Sequence, residues 1–373
     1  MNVLLVSLAP FVGGAEVALE RLALGLLQKG HRVLCALGSQ NEVGQRFTKQ
    51  GIPWVYFPMP FTGKLNLPYY LWALIKFRRF LKRASFDLIH ANDLPSFQFV
   101  SNAARPFGLP RICHHRYVFD GGAIKWLLKF GVEYHVFVSQ ALRKDLETAY
   151  PPLARQAGEV VYDGLPLPDL PDDGVRLEIR QKLGLPEDKT IVLFAGQIIP
   201  RKGLQDLLRA WALLPEGVRK KAYLAVIGDD LAGKGAYRKE MEALAKELGV
   251  PADFRGFQKN VDQWLDAGDV VTVPSHIEPL GNATLEAMAH ARPVVGASVG
   301  GIPEMIVDGE TGFLVPKENP ERLAEALTWL IEDETLVKRL GQAARKRCEE
   351  VFSLERHVDN MVRVWEGVLG GLR

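Results

Sequence analysis

One interruption governs how this chain can fold. Between Leu165 and Gly174 the segment LPLPDLPDDG sets Pro166, Pro168 and Pro171 among Asp169, Asp172 and Asp173. Neither a helix nor a central strand accommodates such a run, because proline lacks the N–H donor and fixes its own backbone angle. On both sides of it, short β-branched or apolar runs alternate with longer amphipathic stretches, the pattern of βαβ units around a mostly parallel sheet. Strands are expected near Val3–Ser7, Arg32–Leu37, Asp87–Ala91, Arg111–His115, Tyr134–Ser139 and Glu159–Tyr162 before it. After it they are expected near Thr190–Ala195, Tyr223–Ile227, Asp269–Val273 and Pro293–Ala297. The segment is therefore read as a linker between two doubly wound α/β domains facing a cleft, residues 1–168 and 169–352. The consecutive helical patterns from Pro320 to Arg373 end in a helix, about 353–373, expected to pack back on the first domain. At 373 residues the chain exceeds the roughly 250–300 at which one hydrophobic core stops growing. Open α/β sheets bind ligands beyond the carboxyl ends of their strands, so the functional loops are those that follow the strands.

Other classes recede on specific grounds. Cys35, Cys113 and Cys348 are odd in number and show no ligand spacing, which fits a reduced, cytoplasmic compartment. The opening run MNVLLVSLAP lacks a basic leader and is about half the roughly 18 residues a membrane span needs. No GxGxxG with an acidic residue about twenty further on marks a dinucleotide oxidoreductase. Charge is asymmetric: residues 1–168 hold 19 Lys+Arg against 11 Asp+Glu, and the remainder 27 against 33. Such polarity steers an anionic ligand or surface toward the first half; nucleic acid is not an expected partner.

The stretch PSHIEPLGNATLEAMAHARPVVG, Pro274–Gly296, carries the most chemistry. It leaves a strand, crosses a Pro/Gly loop and enters a helix near Asn282. Unpaired amides at a helix start hold phosphate well, so Asn282, Ala283 and Thr284 are candidates for a diphosphate. Glu286, one turn further in, suits ribose hydroxyls. A lone glutamate here would ordinarily be a solvated helix residue and Asn282 a simple cap; the surrounding pattern argues otherwise.

That pattern resembles the family 4 retaining glycosyltransferases of the GT-B fold, two Rossmann-like domains about a cleft. Ser275, Glu278, Gly281, Glu286, Ala287, Met288, Ala289, Pro293, Val294 and Val295 match the family's S-x-x-E-x-x-G-x-x-x-x-E-A-M/L-A and P-V-V. The resemblance implies that Glu278 contacts the donor sugar and Glu286 the ribose. It extends along the chain. GGAE after the first strand makes Gly14 a diphosphate contact. LFAGQIIPRKGLQDLL places Lys202 on the diphosphate, while Gln197 stands where the family has arginine, leaving Arg201 as the substitute cation. RGFQ puts Arg255, Gly256 and Phe257 beside the nucleobase. In RICHHRYVFD, Arg116 occupies the usual histidine position and His114 a second one, with His115 next; either type of side chain can stabilise a departing diphosphate. Asp163 in VVYDGLPL replaces asparagine in a turn both tolerate. Asp229 and Asp230 are read as solvated loop residues and no metal is expected.

The implied reaction is sugar transfer with retention from a UDP- or GDP-sugar to a glycan or lipid-linked acceptor, with no other cofactor. A GT-B nucleotide-sugar epimerase and a non-catalytic nucleotide-sugar binding module stay open as alternatives. Finally, YYLWALIKFRRFLKR, Tyr69–Arg83, follows an aromatic run with Lys76, Arg78, Arg79, Lys82 and Arg83. A surface helix with a solvated basic face accounts for it, and so does a peripheral contact with the inner face of an anionic membrane.

Overall fold

The computed structural model describes residues 1–61, 66–230 and 233–371. Its thirteen described strands are β1 Asn2–Ser7, β2 Arg32–Leu37, β3 Trp54–Tyr56, β4 Leu88–Ala91, β5 Arg111–His115, β6 Tyr134–Phe137, β7 Gly158–Val160, β8 Thr190–Ala195, β9 Ala222–Ile227, β10 Ala252–Gly256, β11 Val270–Val273, β12 Val294–Ala297 and β13 Gly312–Val315. They fall into two compact units, Met1–Pro166 with Ser353–Arg373, and Leu167–Phe352.

The first unit holds one parallel sheet in the order β3-β2-β1-β4-β5-β6-β7. Chain direction reverses its lateral progress between β1 and β4, as in doubly wound sheets. β1, β4 and β5 are buried on both faces and read as continuous apolar or histidine-bearing runs, as expected of a parallel sheet covered by helices. One core packs Leu19, Leu22 and Leu26 of the helix Gly14–Gln28 with Val358, Met361 and Trp365 of the helix Leu354–Leu369. The other packs Tyr70, Leu74, Phe77 and Leu81 of the helix Leu67–Arg83 against Phe99 and Val100. The C-terminal helix is tied in by a bridge between Leu165 and Ser353 and by the Leu354 amide donating to the Leu165 carbonyl at 2.9 Å.

The second unit holds a six-stranded parallel sheet, β10-β9-β8-β11-β12-β13, around a core that includes Phe194, Trp211, Leu224 and Leu327. Three strands escape the apolar-run reading: β3, β10 and β13. All lie at sheet edges and are only partly buried. An edge strand has one neighbour and mixed surroundings, so its sequence lacks the unbroken apolar signal of an interior strand. Among the described residues no helix is long and apolar enough to cross a membrane.

Candidate functional site

In the second unit, three loops at the carboxyl ends of β8, β11 and β12 converge. The turn after β8 carries Arg201 and Lys202, and closes on Gly203, whose φ is +70°. A Cβ there would sit 1.9 Å from the Pro274 carbonyl oxygen, so only glycine lets this turn press on the loop after β11. The His276 amide then donates to the Arg201 carbonyl at 2.8 Å. Gly300, φ +52°, plays the same part after β12: a Cβ would meet the Glu278 carbonyl at 1.7 Å. The Gly301 amide donates to that carbonyl at 3.1 Å.

This clamping brings Lys202 and Glu278, 76 residues apart, into a salt bridge. Ser275 Oγ donates to the same Glu278 carboxylate at 3.2 Å. Both ionic partners are largely buried, at 18 and 9 % side-chain exposure, where a charge pair is stronger than at the surface. Arg201 remains exposed, and its guanidinium reaches the Ile277 carbonyl at 3.5 Å. Gln197 is exposed at the end of the same loop. The helix Asn282–Ala289 starts after Gly281, φ +111°. Asn282 and Ala283 are half-buried, and Thr284 is buried with no hydrogen-bond partner for its hydroxyl among the described residues. Glu286 is half-buried one turn on.

The helix's other end holds His290, whose Nδ1 lies 2.7 Å from Asp266 and whose Nε2 lies 3.4 Å from Asp262. Burial opposes its charge, but the two carboxylates outweigh burial and raise its pKa above the usual value; the helix C-terminus favours a cation too. The folded pKa being raised, this contribution to stability is complete below about pH 6.5 and is lost as pH rises through the folded value. The urea midpoint should therefore decline upward from that pH, and His290→Gln should flatten the decline. An unchanged slope in the variant would mean that other groups set it.

Nearby residues are committed elsewhere. The Arg255 guanidinium is paired with Asp253, donates to the Leu183 carbonyl at 3.0 Å and stacks over Trp264; it anchors β10 to its surroundings. Phe257 is 60 % exposed, which leaves its ring as the open surface of that loop. One expectation is corrected: Asp230 is buried rather than solvated. Its carboxylate accepts from the Gly233 amide at 2.7 Å and the Tyr237 amide at 2.9 Å, capping the following helix. Asp229 pairs with Arg238. Among the described residues no group of three or more His, Cys, Asp or Glu is placed to hold a metal ion.

In the first unit the side chains of β5 alternate across the sheet. His115 points into one core, 2.8 Å from His135 Nδ1 and stacked on Phe137. His114 and, two positions on, Arg116 belong to a buried polar chain on the other side. Trp365 Nε1 donates to His90 Nδ1 at 3.3 Å, so His90 Nε2 carries the proton and donates to His114 Nδ1 at 3.2 Å. Burial, then the charge of Arg116, push His90 down to about 3 and His114 well below the usual histidine value. Both imidazoles are neutral at pH 7, and the positive charge at this strand end is that of Arg116.

Arg116 is held on three sides. Nη1 donates to both Asp163 oxygens at 2.8 and 2.6 Å, and Nε to Asn92 Oδ1 at 2.9 Å. Nη2 lies 3.4 Å from His114 Nδ1. Asn92 Nδ2 in turn donates to the Ala15 carbonyl at 3.0 Å, in the first turn of the helix that begins at exposed Gly14. The Gly13 amide donates to Glu16 at 3.1 Å; burial first of all raises the pKa of Glu16 and likewise of Asp93. Asp163 is thus more than a turn former: it is the counter-charge of Arg116. Sequence reasoning missed both that role and Asn92, because nothing local couples residues 47 and 24 positions away.

Two parallel, doubly wound sheets with glycine-bearing turns at their strand ends define a chain of the GT-B fold. Solved structures of this fold include Anabaena Alr3699/HepE in complex with UDP and glucose, with a TM-score of 0.84 at 23 % identity over 98 % of this chain and 100 % of that one. Sucrose-phosphate synthase from Thermosynechococcus elongatus aligns with a TM-score of 0.82 at 20 % identity over 99 % of each chain. Residues 12–167 match Glycosyltransferase Family 4 and residues 175–347 match Glycosyl transferases group 1. The chain belongs to the family 4 glycosyltransferases. The D-inositol 3-phosphate glycosyltransferase of Streptomyces avermitilis is 40 % identical over 201 residues, 51 % of this chain and 42 % of that protein. The match therefore spans less than half the length of that curated relative.

Proposed function

We propose that the protein transfers a sugar, with retention of anomeric configuration, from a UDP- or GDP-sugar to a glycan or lipid-linked acceptor in the cytoplasm. The observation that carries this reading is the arrangement of Lys202, after β8, with Glu278 and the start of the helix Asn282–Ala289, after β11, on loops clamped at Gly203 and Gly300. A cation beside the positive end of a helix suits a diphosphate, and the carboxylate behind them suits sugar hydroxyls. Family membership and the UDP complex of the Anabaena protein support it.

In the proposed step the bond from the sugar's anomeric carbon to the β-phosphate oxygen breaks. A bond from that carbon to the acceptor oxygen forms on the same face, and the acceptor's proton passes to the departing diphosphate. Lys202 and the helix start stabilise the leaving charge; the side chains present suggest no protein nucleophile. No bound metal is required, so chelator should leave the rate unchanged.

Donor hydrolysis is the direct test. Release of nucleoside diphosphate, stimulated by an acceptor with retained configuration in the product, supports the proposal. Donor binding without release points to a binding module, and a new sugar epimer without release to an epimerase. Glu286→Ala should weaken donor binding by about 1.5–3 kcal/mol, the range for a hydrogen bond to a charged group. Titration calorimetry showing unchanged affinity in the folded variant would remove Glu286 from the ribose site.

A further inference from the structure

We propose that the outward face of the helix Leu67–Arg83 docks the protein on an anionic lipid bilayer. The inference rests on the transferase reading only for its purpose, bringing the enzyme to a lipid-linked acceptor.

The helix's inward stripe, Tyr70, Ala73, Leu74, Phe77 and Leu81, is spent on the first unit's core. An ordinary surface helix would fill its other positions with small or charged helix formers. Here Leu67, Tyr69, Leu71, Trp72 and Ile75 stand between 47 and 52 % exposed. At 100° per residue, Leu71, Trp72 and Ile75 share one face with Arg79, Lys82 and Arg83 one to three turns on. The exposed face is thus divided along its axis, apolar for its first half and cationic for its second.

Three further observations point the same way. Tyr69 stacks on Trp72 with centroids 5.7 Å apart, and the Lys76 ammonium lies 5.3 Å over the Trp72 ring. These amphipathic groups, apolar in body and polar at the tip, suit the boundary between headgroups and acyl chains. Asn66 donates to the Phe61 carbonyl at 2.9 Å, and Phe61, itself exposed, lies against half-exposed Trp126 at 5.6 Å, with Lys129 over that ring. The apolar end therefore continues beyond the helix. Between Glu42 and Asp87 the sequence has no acidic residue and eight Lys or Arg. A protein partner's surface carries both signs of charge, whereas a face with only cations beside an aromatic edge complements anionic headgroups over acyl chains. Arg78 is not part of the face: it is half-buried and donates to the Asn102 carbonyl at 3.1 Å. The cations available to lipid are Lys76, Arg79, Lys82 and Arg83.

The test is sedimentation of the full chain, without donor, with vesicles of phosphatidylcholine alone or with about a third phosphatidylglycerol. Each basic side chain near such a surface is worth about a fivefold gain in partitioning. The expected result is strong binding to the anionic vesicles, weakened by salt, and at least tenfold weaker binding to the neutral ones. Lys76→Gln/Arg79→Gln/Lys82→Gln/Arg83→Gln should lose at least tenfold, and Trp72→Ser/Ile75→Ser should lose binding and the quenching of tryptophan emission by brominated lipid. All six positions are exposed, so the variants should keep the parent's circular dichroism. Absence of binding to anionic vesicles, equal partitioning in both, or undiminished binding by both variants would overturn the proposal. So would a dimer in solution dispersed by Trp72→Ser/Ile75→Ser, which would make the face an interface between copies. Nucleoside diphosphate release in solution is read separately, so turnover without vesicle binding, or binding without turnover, identifies which reading has failed.

Discussion

Arg116→Gln, with Asp163 left in place, is expected to destabilise the first unit by about 3–5 kcal/mol, the range for removing one partner of a buried ion pair. Arg116 and Asp163 are only 4 and 5 % exposed at their side chains, so neither charge can turn to water when the other is gone. Asp163→Asn should be similarly harmful, because it strands the guanidinium. The double variant Arg116→Gln/Asp163→Asn keeps amide hydrogen-bonding groups at both ends and leaves no buried charge. It should lose less than the sum of the singles, by 1 kcal/mol or more. Denaturant unfolding followed through Trp365, which is bonded to the same chain at His90, gives the three values. Additive losses would show that the two residues do not act as a unit. A functional counterpart follows from geometry: Arg116 reaches the start of the helix Gly14–Gln28 through Asn92 and Ala15. On the proposed function, the double variant should therefore be folded yet slower.

The second large effect is on turnover. Lys202→Ala is expected to lower kcat/KM by about 10²–10³, the usual cost of removing one group aimed at developing charge, while Arg201→Ala costs less than about tenfold. Lys202 is held in place by Glu278, whereas Arg201 is exposed with a single long contact. Glu278→Ala should act mainly on kcat, since the carboxylate both orients Lys202 and lies where donor-sugar hydroxyls are proposed to bind. Because each change leaves a partly buried partner unpaired, melting temperatures must accompany the rates. Gln197→Arg is the complementary change: tighter donor binding would mark it as the place of a missing second cation. If Arg201→Ala proves the more damaging, the diphosphate is held by the exposed arginine and the assignment of Lys202 is wrong.

The interior strands were legible in the sequence because their signals are local. A strand covered on both faces must be apolar along its length. The start of the helix at Asn282 was legible for the same reason, from a Pro/Gly loop entering an apolar-periodic segment. Three of the four edge strands, β3, β10 and β13, were not, since an edge imposes no continuous pattern on its residues; β7, also at an edge, was expected.

Within the candidate site, the sequence named Lys202 and Glu278 separately; only the fold, through the close approaches at Gly203 and Gly300, joined them. It offered Arg255 as a residue beside the nucleobase, and the tertiary structure pairs that side chain with Asp253 and lays it over Trp264. Alternation along β5 required His114 and His115 to face opposite sides, but the packing of His135, Phe137, His90 and Trp365 decided which side was which. Asp163 looked like a turn residue because its partner lies on another strand end. Local sequence thus determined the elements and the residue types at their ends. Which charges meet was decided by tertiary structure, because a contact between distant residues exists only once the sheet has set their separation.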